Sequence, residues 1–530
     1  MEVEKTAGFD IDNIGHHGLN IPDSHDPEKI SNDALVRDNA DMVRLGKEQE
    51  FDRGYRILSI TAFTVVAMIG WVFVPNSTTS ALIDGNTGGT IVMYLVNFAA
   101  FLFITLSLAE MASMAPTAGG QYHWASEFAP PSLQKVISYT SGWLSTLAWC
   151  CGTVSGVFLS GNLIQGIIII LHPNYTATAW KAYLYAFALI SINFICNVFL
   201  SRKLPKLEGI VFVLVIVAYV STLVVLWVLS TGNRLTAHEV FTTFTDDGGW
   251  GSLGLSMMAG QILLVWGLTG SDAAAHMAEE TKRASSVVPK AMVASYIVNG
   301  LMVFVMLITY CFTLTNLQDA FDSSTGFPFM AVFQNATGSA SGSAALTSVQ
   351  VVLVMFSAIN YMASCSRQVW AFARDRGLPF SSWIAKVDRN TNCPTRAVIV
   401  VYMFSVLICL ISLGSSIAFN AITSVQLLGM VFTYEISIGC LVWRRMFGRP
   451  LPRGDWSLGR FGMPINLFAM IYGVYLIIFI PFPVTTPVTL STVNWSPVIF
   501  VGIIVLAVIY YIVLGRKVYD GPVAYVRSTY

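Results

Sequence analysis

An all-α polytopic membrane fold is what this 530-residue chain predicts, on three observations. It is 55% hydrophobic and 11% charged, where an ordinary soluble domain is roughly 25% charged. It contains a train of apolar runs close to the ~20 residues that a helix needs to cross a bilayer. Its lysines and arginines are distributed unevenly around those runs. The runs lie at about 57–82, 90–112, 136–171, 180–200, 208–230 and 253–281, then 290–314, 345–371, 396–414, 417–443, 464–482 and 496–514. These are twelve predicted spans, the third ending before residue 171.

Residues 1–56 hold thirteen of the thirty acids and seven of the thirty Lys/Arg. With Gly18, Pro22, Asp23 and Asp26 and no apolar run before Ile57, the tail over 1–55 is predicted to be disordered, because it cannot bury enough surface to offset its ordering entropy. No secretory signal peptide is expected before the first span. A second, short tail covers 516–530. The eight cysteines are scattered without metal spacing and read as small buried hydrophobes.

Lys and Arg are retained in short cytoplasmic connections. With both termini inside, such segments take twenty-eight of the thirty, leaving Lys181 and Arg234 outside. A missed helix would invert every later loop and destroy this bias. The glycosylation sequons at Asn174, Asn335 and Asn494 fall in predicted outer loops, whereas that at Asn76 lies in the first span and is expected to be buried.

Few acids remain at membrane depth, where an ionisable group needs a partner or a purpose. Glu110 ends the second span and can be satisfied by neighbouring backbone or an arginine. Glu435, beside Tyr434 in the tenth, is open to a structural or a proton-carrying role. The sixth span carries Trp266-Gly-Leu-Thr-Gly-Ser-Asp-Ala-Ala-Ala-His-Met-Ala-Glu-Glu-Thr281. Gly267 and Gly270 bracket Thr269 and weaken the helix by roughly 1 kcal/mol each relative to alanine, so a break is expected there. Asp272, His276, Glu279 and Glu280 share one face if the second half is helical. Such a line suits proton transfer, because burial favours the neutral form of an acid and histidine titrates near neutrality. Glu279 and Glu280 alternatively form the cytoplasmic end of the span beside Lys282 and Arg283.

The first span is interrupted similarly, by Gly70 and Pro75 in Met68-Ile-Gly-Trp-Val-Phe-Val-Pro-Asn-Ser-Thr-Thr79. Two interrupted spans five apart predict inverted halves, about 56–230 and 253–443, around a midplane site, with two extra helices at about 464–514.

Four motifs carry a family resemblance: Leu108-Ala-Glu-Met-Ala-Ser-Met-Ala-Pro-Thr-Ala-Gly-Gly-Gln-Tyr-His-Trp124, the sixth-span segment, Ser366-Arg-Gln-Val-Trp-Ala-Phe-Ala-Arg-Asp-Arg-Gly-Leu-Pro-Phe-Ser381 and Tyr519-Asp-Gly-Pro522. Over about residues 50–525 the chain resembles the fungal amino-acid/choline/GABA permeases of the amino acid–polyamine–organocation superfamily. The resemblance implies a leucine-transporter-like fold of ten core helices plus two, and a proton-driven symporter or an exchanger. Its substrate would be an amino acid, GABA, choline or another small amine.

Carried over, Gly70, Trp71 and Val72 fall in the first break, Trp266, Gly267, Thr269, Gly270 and Asp272 in the sixth, with Ser357, Asn360 and Tyr361 facing them from the eighth span. Asp272, His276 and Glu435 are the candidates for proton coupling, and Glu110, Glu279 and Glu280 for a gate with 115–124 and 374–381. Glu435 departs from the family's apolar or small residue, and its charge would suit a cationic substrate or a further proton site. Lys203 and Lys206 precede the fifth span, where some relatives use a lysine in place of sodium; they also fit plain loop charge.

The partners implied are a small amine or amino acid, protons and membrane lipid. Nothing calls for a cofactor, metal or nucleic acid, and the chain has neither an H-E-x-x-H cluster for a metalloenzyme nor a G-x-x-x-x-G-K-[ST] loop for a pump. Choline, polyamine or vitamin-amine transport, or a non-transporting nutrient sensor, are the alternatives. The plasma membrane is favoured over the vacuole.

Overall fold

The computed structural model describes residues 27–172, 174–323, 325–411, 418–490, 492–519 and 521–523. Those residues form helices and two isolated bridges, without a strand. In chain order the helices are α1 (Pro27–Arg44), α2 (Ile57–Met68), α3 (Gly70–Ser77), α4 (Thr79–Met114), α5 (Gln121–Phe128), α6 (Gln134–Leu171), α7 (Ala179–Leu200), α8 (Leu204–Leu229), α9 (Ala237–Thr242), α10 (Leu253–Gly260) and α11 (Ile262–Trp266). There follow α12 (Ala273–His276), α13 (Ala284–Thr313), α14 (Leu317–Phe321), α15 (Pro328–Thr337), α16 (Ala340–Arg374), α17 (Ser381–Ile384), α18 (Thr395–Ile411), α19 (Ala418–Phe447), α20 (Gly462–Phe479), α21 (Ser496–Tyr510) and α22 (Arg516–Val518).

Nine helical segments among the described residues are long and apolar enough to cross a membrane, and Ala179–Leu229, which joins α7 to α8, runs for 51 residues. Leu253–Trp266 and Thr395–Ile411 are shorter apolar helices. The chain is a multi-pass integral membrane protein. Its surface agrees: on α8, Ile210, Val213, Val217, Val220, Val224 and Val228 are all exposed at helical spacing, while Glu208, Val215, Thr222 and Leu226 are buried on the other face. Water would penalise such a valine stripe; lipid is its natural solvent.

The long helices α4, α6, α13, α16 and α19 pack around the short interrupted ones: α2 and α3 lie against α13, α2 also against α8 and α16, and α12 against α16 and α13. Small residues let backbones approach. Gly142, Gly152 and Gly156 set α6 against α16, and a Cβ on Gly142 would come within 2.3 Å of the Phe372 ring.

Three expectations need correction. The third span does not end early, because α6 runs unbroken for 38 residues to Leu171. The predicted connection at 83–89 is not a free loop: α4 passes through it with a kink at Asn86, whose φ is 53°. Disorder does not describe the second half of the tail, although residues 1–26, where the rest of that expectation falls, lie outside the described residues. Asp38 accepts the N–H groups of Arg283 (2.8 Å) and Ala284 (3.1 Å), capping α13, and Arg53 donates to the Thr281 carbonyl at 2.6 Å. Tyr55 pairs with Thr281 as a parallel bridge. A low-hydrophobicity segment is ordered here by polar contacts to helix ends that leave backbone groups unpaired, which composition does not report.

Candidate functional site

Both predicted breaks exist. The first lies at Ile69, held at φ 29° between α2 and α3. This is the left-handed region, strained for a β-branched side chain. Pro75 sits inside α3 and does not make the break. In the sixth span, residues 267–272 separate α11 from α12, and Gly270 takes φ 99°, which glycine adopts without a Cβ penalty.

One residue ties the breaks together. The Gly70 N–H donates to Asn299 Oδ1 at 2.8 Å, and Asn299 Nδ2 donates to the Gly267 carbonyl at 3.0 Å. An amide carries both an acceptor and a donor, so one side chain from α13 satisfies a freed group of each break. Asn299 was missed in the sequence, where its only signal was a lone amide in an apolar run.

Asp272 is fully buried at the start of α12. Its Oδ1 accepts from the Tyr434 hydroxyl (2.8 Å) and its Oδ2 from Gln121 Nε2 (2.6 Å). His276 Nε2 lies 3.9 Å from Oδ2. The other ring nitrogen, Nδ1, is 2.8 Å from the Ala118 carbonyl, which only accepts, so Nδ1 carries a hydrogen and Nε2 is the nitrogen that faces Asp272. Trp149 packs edge-on to the imidazole at 4.8 Å and against Tyr361 at 5.2 Å. Gly120, at φ 53°, leaves room for the ring, since a Cβ there would be 3.1 Å from His276 Cε1. Gln121 and Gly120 belong to the 115–124 segment expected at the gate; Gln121 bonds the central acid and Gly120 lies against His276.

The remaining sixth-span charges turn away, because α12 ends at His276 and a 3₁₀ turn follows at Ala278–Glu280. The single polar line through all four residues therefore does not form. Arg374 clamps Glu279 with two 2.8 Å bonds, and Arg367 Nε donates to Glu280 Oε1 at 2.8 Å. Lys47 from the tail bonds Asp375. Burial alone would raise Asp375, but the Lys47 and Arg374 charges hold its carboxyl below the usual range. These pairs lie on the face against which the tail packs. Toward the opposite face, Phe73 and Trp266 meet at 4.5 Å.

Arg367 is 1% exposed. Glu280→Ala is therefore expected to destabilise by about 3–5 kcal/mol, the cost of stranding one charge of a buried pair. Thermal unfolding in detergent checks this, and an unchanged midpoint would refute it.

The eighth-span assignments divide. Tyr361 places its hydroxyl against Gly270. Ser357 and Asn360 instead donate to the α2 carbonyls of Ala67 (2.6 Å) and Phe63 (3.1 Å), and Asn360 also bonds Glu208 Oε2 at 3.1 Å. Thr269 donates to the Trp266 carbonyl at 2.8 Å and Val72 is buried in the first turn of α3. Trp71 turns to α8, packing edge-on against Tyr219 at 5.4 Å.

Glu435 is not brought to the centre. A Cβ on Gly473 would lie 1.8 Å from its Oε1, so the carboxyl faces α20; adjacent helical positions diverge by about 100°, and Tyr434 takes the inward one. Glu110 accepts from Arg445 Nη2, Ser457 and the Leu458 N–H, a tether at a helix end remote from the central acid. Lys203 and Lys206 are exposed, leaving Glu208 as the inward charge of α8. Among the sequons, Asn174 and Asn335 are exposed, whereas Asn494 spends its amide on Ile480 O (2.9 Å) and Ser424, which argues against its modification. Asn76 is half-buried and donates to Val72 O.

The amino acid permease family profile matches residues 56–508. A Macrophomina phaseolina protein named for amino acid/polyamine transport is 30% identical over 81% of this chain and 96% of its own length. An amino-acid permease of Arabidopsis thaliana is 28% identical over 92% and 96% respectively, and a choline transporter of Saccharomyces cerevisiae 25% identical over 91% and 84%. With a match across nearly all the membrane helices, including both interrupted ones, the chain belongs to the amino acid permease family of the amino acid–polyamine–organocation superfamily, whose members are transporters and not enzymes.

Proposed function

We propose that this protein is a proton-coupled secondary transporter, a symporter or exchanger, for an amino acid or a related small amine such as GABA. The observation that carries the reading is Asp272: a buried acid next to a helix break, held by two neutral donors and faced by the Nε2 of an imidazole. Protonation of Asp272 removes a charge that has no cation committed to it, and His276 offers a neighbouring stop for the proton. The paired breaks free backbone N–H groups for a carboxylate and carbonyls for an ammonium. Gly267, Thr269, Gly270 and Tyr361 then form the substrate side of the site, and the Glu279–Arg374, Glu280–Arg367 and Lys47–Asp375 pairs its cytoplasmic gate.

The reading includes twelve spans in a five-plus-five inverted repeat plus two, both termini cytoplasmic, and residence in the plasma membrane with Asn174 and Asn335 available for glycosylation. The Lys/Arg bias supports that orientation. With Glu435 turned outward, Asp272 is the acid of the centre, and the extra negative charge that would have favoured choline or a polyamine is withdrawn.

Uptake of labelled amino acids, GABA, choline and spermidine by permease-deficient cells tests it. Uptake of an amino acid or GABA should be faster at pH 5 than at pH 7.5 and collapse with a protonophore. Uptake of choline or spermidine alone would overturn the substrate assignment, and insensitivity to both pH and protonophore the coupling.

A further inference from the structure

A second polar site lies on the tail face, away from Asp272. Between the end of α19 and the start of α20 opens a cleft of about 540 Å³, lined by Arg444, Arg445, Arg449 and Arg460, with Leu451 and Met463 as apolar wall. Residues 444–460 carry five arginines against one acid, Asp455. Arg445 is committed to Glu110 and to Asn466 Oδ1 (3.0 Å), and Arg444 Nε donates to the Arg449 carbonyl at 2.8 Å. Among the described residues no carboxylate lies within 4 Å of the Arg449 or Arg460 guanidinium. Arg460 rests over the Phe461 ring at 4.8 Å.

The Arg449 and Arg460 guanidinium groups, like charges with no carboxylate beside them, repel one another, and a phosphate satisfies both at once through forked hydrogen bonds. The rim identifies the bearer of that phosphate. Met446, Phe447 and Phe461, next in sequence to residues that line the cleft, are 55%, 71% and 58% exposed, apolar surface of the kind that acyl chains cover. A ligand that offers phosphate to the arginines and hydrocarbon to these residues is a phospholipid.

We propose that this cleft binds the phosphorylated headgroup of an anionic phospholipid, with Arg449 and Arg460 holding the phosphate. The leaflet, though not the binding, rests on the reading of the tail face as cytoplasmic. There the anionic surface concentrates such lipids around basic juxtamembrane segments. The same α19 carries Tyr434, the partner of Asp272, so an occupied cleft anchors the far end of a helix that touches the central acid.

The test uses the full chain in neutral detergent and fluorescence anisotropy of dye-labelled short-chain phosphatidylinositol 4-phosphate. Binding should saturate, and the double variant R449Q/R460Q should weaken it about 30-fold, for two arginines facing a phosphate. Lys181→Gln, on the opposite face, should leave it unchanged. A double variant that binds as wild type overturns the proposal. Displacement by inorganic phosphate or by the soluble inositol phosphate as effective as by unlabelled lipid assigns the cleft to a free anion and overturns the lipid. Equal displacement by phosphatidylcholine of the same chain length reduces the binding to apolar adsorption and also overturns it. Should the double variant fail to fold, R449Q and R460Q singly should each weaken binding about fivefold. Because binding is read without transport, failure of the transporter assignment leaves this result standing.

Discussion

Asp272→Asn is expected to abolish concentrative uptake while leaving the protein folded. In the wild type both carboxylate oxygens accept, from Tyr434 and from Gln121. Asparagine presents one acceptor and one donor, so its amide would first oppose a donor, and a mispaired buried polar group costs about 1–3 kcal/mol. Gln121 relieves this by turning over, since its own Oε1 has no partner in the structure, and can then accept from the new amide. What asparagine cannot do is take up and release a proton. The loss expected is about 10²-fold or more in uptake driven by an imposed pH gradient, the scale of removing a positioned proton-transfer group. Proteoliposomes with an acid exterior measure it, and a thermal unfolding curve in parallel shows that the fold survives. Wild-type uptake that still collapses with a protonophore would remove Asp272 from the coupling path.

Gly70→Ala is expected to do comparable damage by sterics alone. A Cβ at Gly70 would lie 2.6 Å from the Gly267 carbonyl oxygen, 2.6 Å from Val303 Cγ2 and 2.9 Å from Asn299 Nδ2. The carbonyl is backbone and cannot swing aside as a flexible side chain would, so the two breaks must part and the Asn299 bridge with them. Overpacking of this sort costs about 1–3 kcal/mol, which corresponds to a loss of about 5–150-fold in the population of the arrangement in which the two breaks touch. Substrate-binding affinity by scintillation proximity checks the direction. Gly156→Ala is the control, because its Cβ would meet Ala358 Cβ at an ordinary 3.6 Å. Equal affinities for the two variants would show that contact between the breaks is dispensable.

Much of the fold was legible because it depends on sums over local sequence. Apolar runs, glycine pairs and the Lys/Arg bias are additive properties of short windows, and lipid exacts them strictly: an unpaired backbone group at membrane depth has no water to turn to. The Gly267–Gly270 interruption was readable for that reason, as was the first break, which lies at Ile69, one residue from Gly70 though six from Pro75. The ordered tail was not readable, since its hydrogen bonds go to helix ends more than two hundred residues away.

The candidate site divides along the same line. Its central acid could be named from the sequence, because an aspartate in an apolar segment after a glycine break needs a partner wherever it sits. Its partners could not. Gln121, Tyr434, Trp149 and Asn299 come from α5, α19, α6 and α13, and only packing decides which of many polar side chains arrive within 3 Å of Asp272 or between the breaks. Glu435 makes the point in reverse. By composition it ranked with Asp272 as a charge in the membrane, and one helical position turned it to α20 while its neighbour Tyr434 took the inward place. The sequence by itself determined the solvent, the helices and where two of them must break, because those follow from hydropathy and backbone hydrogen bonding along the chain. The tertiary structure alone decided which charges meet beside the breaks, which pair on the tail face and which turn to other helices, because a hydrogen bond requires two groups at contact distance and that distance is set between helices.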